Sequence, residues 1–155
     1  MAYARRNGRR YPAPVESCRV ILLDTVALIR LTRNHSIGQA AVAQIRAAEE
    51  TNALYLSAIS AWELCLLETT SHTGVEIGGD GAAFLKHARA LTVLQMIALD
   101  DRMTIESRRL PGNFHKDPAD RFIVATARIS GLTLVTTDHH ILDYAALGHV
   151  RAIAC

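Results

Sequence analysis

The sequence predicts an α/β fold with a central parallel sheet covered by helices on both faces. Three observations predict it. Short apolar runs alternate with segments of helical period along most of the chain. Half of the 155 residues are hydrophobic while only 5% are aromatic, a balance that suits helices and buried strands better than a β-sandwich or a disordered chain. Acidic residues stand where the apolar runs give way to the helical ones, the position of helix caps along one edge of a parallel sheet. At this length the chain makes one domain with its own core.

Residues 1–18 carry prolines, arginines and little periodicity, and they read as a flexible basic lead to a domain over 19–155. Regular structure is expected from 19–23, a short apolar run suited to a buried central strand and ended by Asp24. A helix over 25–33 follows. Ser36 is placed to cap a second helix reaching Ala48, because Ile37, Ala40, Ala41, Ile45 and Ala48 recur at helical spacing. Residues 53–58 form a second strand. Ser57 or Ser60 opens a helix to about residue 70, with Glu63 one turn inside it. The glycine-rich, polar stretch 71–81 is a loop, and 82–91 is helical. A strand over 93–99 precedes a helix capped by Asp100 or Asp101, which Pro111-Gly112-Asn113 stops. Residues 117–130 form the next helix, with Gly131 as its C-terminal stop. Residues 132–136 are the clearest strand; Asp138, a helix to about residue 146 and a last strand over 150–154 complete the chain. No internal repeat is present.

The formal net charge is +2, unevenly spread. Residues 1–19 hold five arginines against Glu16, whereas from Val20 onward 12 basic residues face 14 acidic ones. The body is thus mildly acidic. Lys86 and Lys116 are the two lysines, so the basic residues are nearly all arginine, suited to bidentate contacts with phosphate or carboxylate. Cys18, Cys65 and Cys155 are odd in number and widely spaced, which argues against a disulfide framework or a zinc knuckle and for a reducing cytoplasm. The seven histidines have no metal-ligand spacing. The apolar run 20–23 is too short for a signal peptide core or a membrane span.

Four acids stand out: Asp24, Glu63, Asp120 and Asp138. Taken singly each fits a cap. Ser60-Ala-Trp-Glu63 has the form of a capping box, and Asp117-Pro118-Ala119-Asp120 that of a cap, a first-turn proline and a first-turn acid. Together they fall at one edge of one sheet. Carboxylates gathered there repel unless a hard cation holds them, and oxygen ligands suit Mg2+ or Mn2+. Such a site supports hydrolysis of a phosphodiester without a side-chain nucleophile.

The same residues carry a family resemblance. The segments are Leu22-Leu23-Asp24-Thr25-Val26-Ala27-Leu28-Ile29; Leu56-Ser57-Ala58-Ile59-Ser60-Ala61-Trp62-Glu63-Leu64; His115-Lys116-Asp117-Pro118-Ala119-Asp120-Arg121-Phe122-Ile123-Val124-Ala125-Thr126-Ala127; and Leu132-Thr133-Leu134-Val135-Thr136-Thr137-Asp138. In order and spacing they resemble PIN-domain ribonucleases of the VapC toxin type. The resemblance implies a three-layer α/β/α domain over 19–155, RNA cleavage dependent on Mg2+ or Mn2+, a homodimer, and a small VapB-type antitoxin as partner. By position Asp24, Glu63, Asp120 and Asp138 match the family's acidic quartet, with Asp24 and Asp120 as direct ligands, and Thr136 matches its small hydroxyl residue. Asp117 and Arg121 are accessory candidates, although capping suits Asp117 better. Arg30 stands where many relatives have an apolar or aromatic residue, and the arginine-rich lead has no counterpart in the usual short form.

An acidic body predicts that RNA contacts fall to Arg30, Arg33, Arg121 or the lead. His139 and His140 suit a solvent-facing first turn better than acid-base work, and Trp62 suits packing better than base stacking. A rival reading is a catalytically silent domain that binds RNA or protein, its acids serving as caps alone. An aspartate-nucleophile phosphatase fits less well, because Val26 stands where its second acid belongs.

Overall fold

The computed structural model describes residues 3–6, 9–12, 20–68 and 77–155. Two strands, β1 (Tyr3–Arg6) and β2 (Arg9–Pro12), pair antiparallel within the stretch expected to lack regular structure. The overlooked signal is Asn7-Gly8 between two Tyr- and Arg-containing runs, the two-residue sequence that hairpins favour.

From Ile21 onward, strands and helices follow the expected order: β3 (Ile21–Leu23), α1 (Thr25–Thr32), α2 (Gln39–Glu50), β4 (Leu54–Ser57), α3 (Ala58–Leu67), α4 (Gly81–Leu91), β5 (Gln95–Ile97), α5 (Asp101–Arg108), α6 (Pro118–Ser130), β6 (Thr133–Thr136), α7 (His139–Ala146) and β7 (Arg151–Ala154). The loop expected over 71–81 falls largely outside the described residues. Three caps are as expected. Asp100 caps α5, Asp117 caps α6 with Pro118 in the first turn, and Gly131 ends α6 in the left-handed conformation at φ 68°. One is not: Gly38, rather than Ser36, is the N-cap of α2. Of the two serines offered for α3, Ser57 is the N-cap and Ser60 lies inside the helix. Ser60 is fully buried, so the capping box read at Ser60–Glu63 does not form. Among the described residues no helix is long and apolar enough to cross a membrane.

The five strands β3 to β7 make one parallel sheet in the order β5-β4-β3-β6-β7. Period-2 alternation splits their side chains between two cores. Ile21, Leu23, Leu54, Leu56 and Val135 join Leu28 of α1, Ile45 of α2, Leu64 of α3 and Ala88 of α4 on one face. Leu22, Tyr55 and Leu134 join Ile123 and Val124 of α6 and Ile141 and Tyr144 of α7 on the other. This is the expected three-layer α/β/α arrangement. The chain builds outward from β3 to β4 and β5, then returns to the other side of β3 to lay down β6 and β7. Strand order reverses between β3 and β6, and at that switch point the carboxyl ends of a parallel sheet open a crevice.

The α3–α4 contact is close enough to require glycine. A Cβ on Gly81 would lie 2.6 Å from the backbone C and O of Leu64, and Gly81 N donates to Glu68 Oε1 at 2.6 Å. Gly81→Ala therefore pushes two helices apart, and chemical denaturation should show a loss of about 1–3 kcal/mol.

Candidate active site

Asp24 follows β3 and caps α1, its Oδ1 accepting from Ala27 N at 2.5 Å. It is 5% exposed, and the Thr136 hydroxyl at the end of β6 and the Thr137 backbone also hydrogen-bond to it. Thr136 Oγ1 in turn accepts from Asp138 N at 2.9 Å, which ties the ends of β3 and β6 to the start of α7. Asp138 caps α7, accepting from His140 N at 2.6 Å. Glu63, on the second turn of α3, accepts from Thr25 Oγ1 at 2.5 Å. Asp117 caps α6 through Ala119 N and Asp120 N. Asp120, in the first turn of that helix, turns towards His115, with Oδ2 3.3 Å from Nε2.

These acids sense one another. Burial pushes Asp120 up to about 8, and the negative charges of Asp117, Asp138, Glu63 and Asp24 add to the rise. Burial likewise lifts Glu63 to about 7, opposed by the Thr25 hydrogen bond and reinforced by Asp24 and Asp117. Asp24 rises to about 6 through burial, partly offset by its hydrogen bonds and raised further by Asp138. Four helices, α1, α3, α6 and α7, thus carry five carboxyl groups to the switch point. Three of them are caps as well, since capping engages a carboxylate oxygen without removing its charge.

A divalent cation fits this donor set. The groups are hard oxygens whose pKa values are raised first by burial and then by one another's negative charge, both of which a bound dication would offset. Ligand atoms of His115, Asp120 and Asp138 all lie within 4.8 Å of one another, the one such group of three among the described residues. Asp24 and Glu63 stand outside it.

Other candidates make contacts that the sequence did not announce. Arg121 is half-buried and, among the described residues, forms no ion pair with an acid of the site; its guanidinium donates to the carbonyls of Ser107, Phe114 and His115 at 2.7–3.2 Å and fixes the loop before α6. Arg30 donates to Ser36 O at 3.2 Å. Trp62 is 54% exposed, because the buried face of α3 runs through Ser60 and Leu64 and position 62 falls opposite. The residue that spacing did not single out is His115. It precedes the α6 cap in an irregular segment, where no helical or strand period predicts direction.

The PIN domain family profile matches residues 21–147. The chain belongs to the PIN domain family. Among solved structures, this PIN domain is similar to VapBC2 from Rickettsia felis bound to a DNA fragment from its promoter, with 16% identity, a TM-score of 0.61, and 86% of this chain and 97% of that one covered. It is also similar to FitAcB from Neisseria gonorrhoeae (21% identity, TM-score 0.57, 86% and 96% covered). A third is a toxin–antitoxin complex from Klebsiella pneumoniae (21% identity, TM-score 0.54, 86% and 95% covered). At these identities the likeness is one of fold. A search of the curated proteins finds no match.

Proposed function

We propose that this PIN domain is a divalent-metal-dependent endoribonuclease, the toxin of a type II toxin–antitoxin pair. The observation that carries the reading is the gathering of Asp24, Glu63, Asp117, Asp120 and Asp138 at one switch point with three carboxyl pKa values driven up. Caps alone do not require that convergence. Asp24, Glu63, Asp120 and Asp138 would hold Mg2+ or Mn2+, with Asp24 and Asp120 as direct ligands. When bound, such an ion lowers the pKa of water and neutralises charge on a scissile phosphate.

The chain's own part is to orient and to attract. Thr25 and Thr136 hold Glu63 and Asp24 by hydrogen bonds, so the carboxylates need not reorganise on binding. The N-termini of α1, α6 and α7 add positive dipole ends at the same edge, which favour an anionic phosphate. Since the body is mildly acidic, arginines such as Arg33, or those of the N-terminal lead, supply the remaining attraction for RNA. The fold neighbours described as toxin–antitoxin and VapBC assemblies support a VapB-type antitoxin as partner, acting on a homodimer in the cytoplasm.

The test is cleavage of a mixed structured-RNA pool with Mg2+, Mn2+ or EDTA. Defined cuts that vanish with EDTA are the expected result. A folded protein that neither cuts RNA nor binds either ion saturably would instead be a silent binding domain, whose acids serve as caps.

A further inference from the structure

We infer that His115 is a nitrogen ligand in the metal site, so that one position is a mixed imidazole–carboxylate set of His115, Asp120 and Asp138 that prefers Mn2+ to Mg2+. The inference rests on the metal-dependent reading above and names a ligand that an acidic quartet lacks. Its ground is geometric. The ligand atoms of the three residues fall within 4.8 Å of one another, close enough for one ion to draw them together with small side-chain shifts. His115 Nε2 is buried and makes no hydrogen bond with any described residue, although Asp120 Oδ2 is only 3.3 Å away. A buried nitrogen that faces a carboxylate oxygen without a hydrogen bond between them offers a cation two adjacent donors.

The imidazole is also held in place. Arg121 grips the His115 carbonyl at 3.0 Å, and the ring packs between Phe114, with centroids 4.3 Å apart, and His140, at 4.9 Å. Those contacts pre-orient the nitrogen as outer contacts do for a metal ligand, and they give Arg121 a purpose that needs no contact with substrate. Replacing one hard oxygen by imidazole moves the preference from Mg2+ towards Mn2+, because nitrogen suits transition ions better.

Pulsed EPR of the full chain loaded with Mn2+ reads this without reference to activity. The expected signal is a 14N modulation from imidazole that changes to the 15N pattern when histidine alone is 15N-labelled. It should persist in His140→Ala and vanish in His115→Ala and His115→Gln, both with about tenfold weaker Mn2+ binding and much less change for Mg2+. Should both His115 variants fail to fold, the labelled wild type beside His140→Ala decides, since loss of the signal in His140→Ala assigns it to the wrong ring. Saturable Mn2+ binding without nitrogen modulation, or with modulation that survives in a folded His115 variant, overturns the inference and leaves the metallonuclease reading standing. A folded wild type that binds no Mn2+ overturns both.

Discussion

Asp24→Asn and Asp120→Asn should each lower metal-dependent RNA cleavage by about 10³-fold or more while the fold survives, since under the proposed function each removes a charge that would hold the ion stabilising the reacting phosphate. Asparagine suits this test because it keeps the size of the side chain and is as good an N-cap as aspartate. The Ala27 N–H that Asp24 now satisfies at 2.5 Å keeps an acceptor in the variant. Capping and metal holding are thereby separated at one position. Circular dichroism checks the fold, calorimetry the metal affinity, and initial rates the cleavage. Wild-type rates in both variants would mean that Asp24 is a cap and nothing more and that Asp120 is only a first-turn acid of α6. The metal-free variants should also melt higher than the metal-free wild type at pH 8, since a buried charge crowded by other charges has been removed.

The second large effect is the pH dependence of the metal-free protein. Asp24, Glu63 and Asp120 have folded-state pKa values of about 6, 7 and 8, against 3.8, 4.5 and 3.8 for the unperturbed groups. A raised folded-state pKa means that the native state binds more protons than the unfolded chain between the two values. The associated stability is complete below about pH 4 and is lost as the pH rises through 6 to 8. Other carboxylates pull the opposite way at the acid end, so the comparison belongs between pH 5 and pH 8. Over that range the midpoint of thermal unfolding should fall by roughly 10 °C, corresponding to a loss on the order of 3 kcal/mol. Mn2+ should restore most of it at pH 8 and little at pH 5, because it binds the ionised carboxylates of the native state. A midpoint equal at the two pH values, or equally raised by Mn2+ at both, would show that the acids do not share charge.

Much of this was legible because buried parallel strands and amphipathic helices write their periods directly into the sequence. Leu22 and Leu134 face one core while Ile21, Leu23 and Val135 face the other, as strict alternation requires. Asp117-Pro118 and Gly131 bracket α6 by rules that involve neighbouring residues alone. Misreadings arose where two local rules competed or where a partner lay far along the chain. Ser36 and Gly38 both suit a helix start, and the chain enters α2 at the glycine. Ser60 and Glu63 satisfy the capping-box pattern, yet β4 runs directly into α3, placing Ser60 inside the helix and leaving Glu63 to Thr25, 38 residues away. Asn7-Gly8 is a local hairpin signal set in a stretch whose prolines, arginines and lack of period read as a flexible lead.

By itself the sequence determined the order of strands and helices from Ile21 onward, the parallel sheet between two helical layers, and the acids carried to its carboxyl edge. Those features depend on backbone preference and on which side chains leave water, both set within a few residues. Tertiary structure alone decided that Asp120 faces His115, that Glu63 belongs to Thr25, and that Arg121 donates to three carbonyls. Hydrogen bonding and charge act over a few ångströms of space. Which groups come that close is set by the packing of whole helices on the sheet, for which no residue carries a local signature.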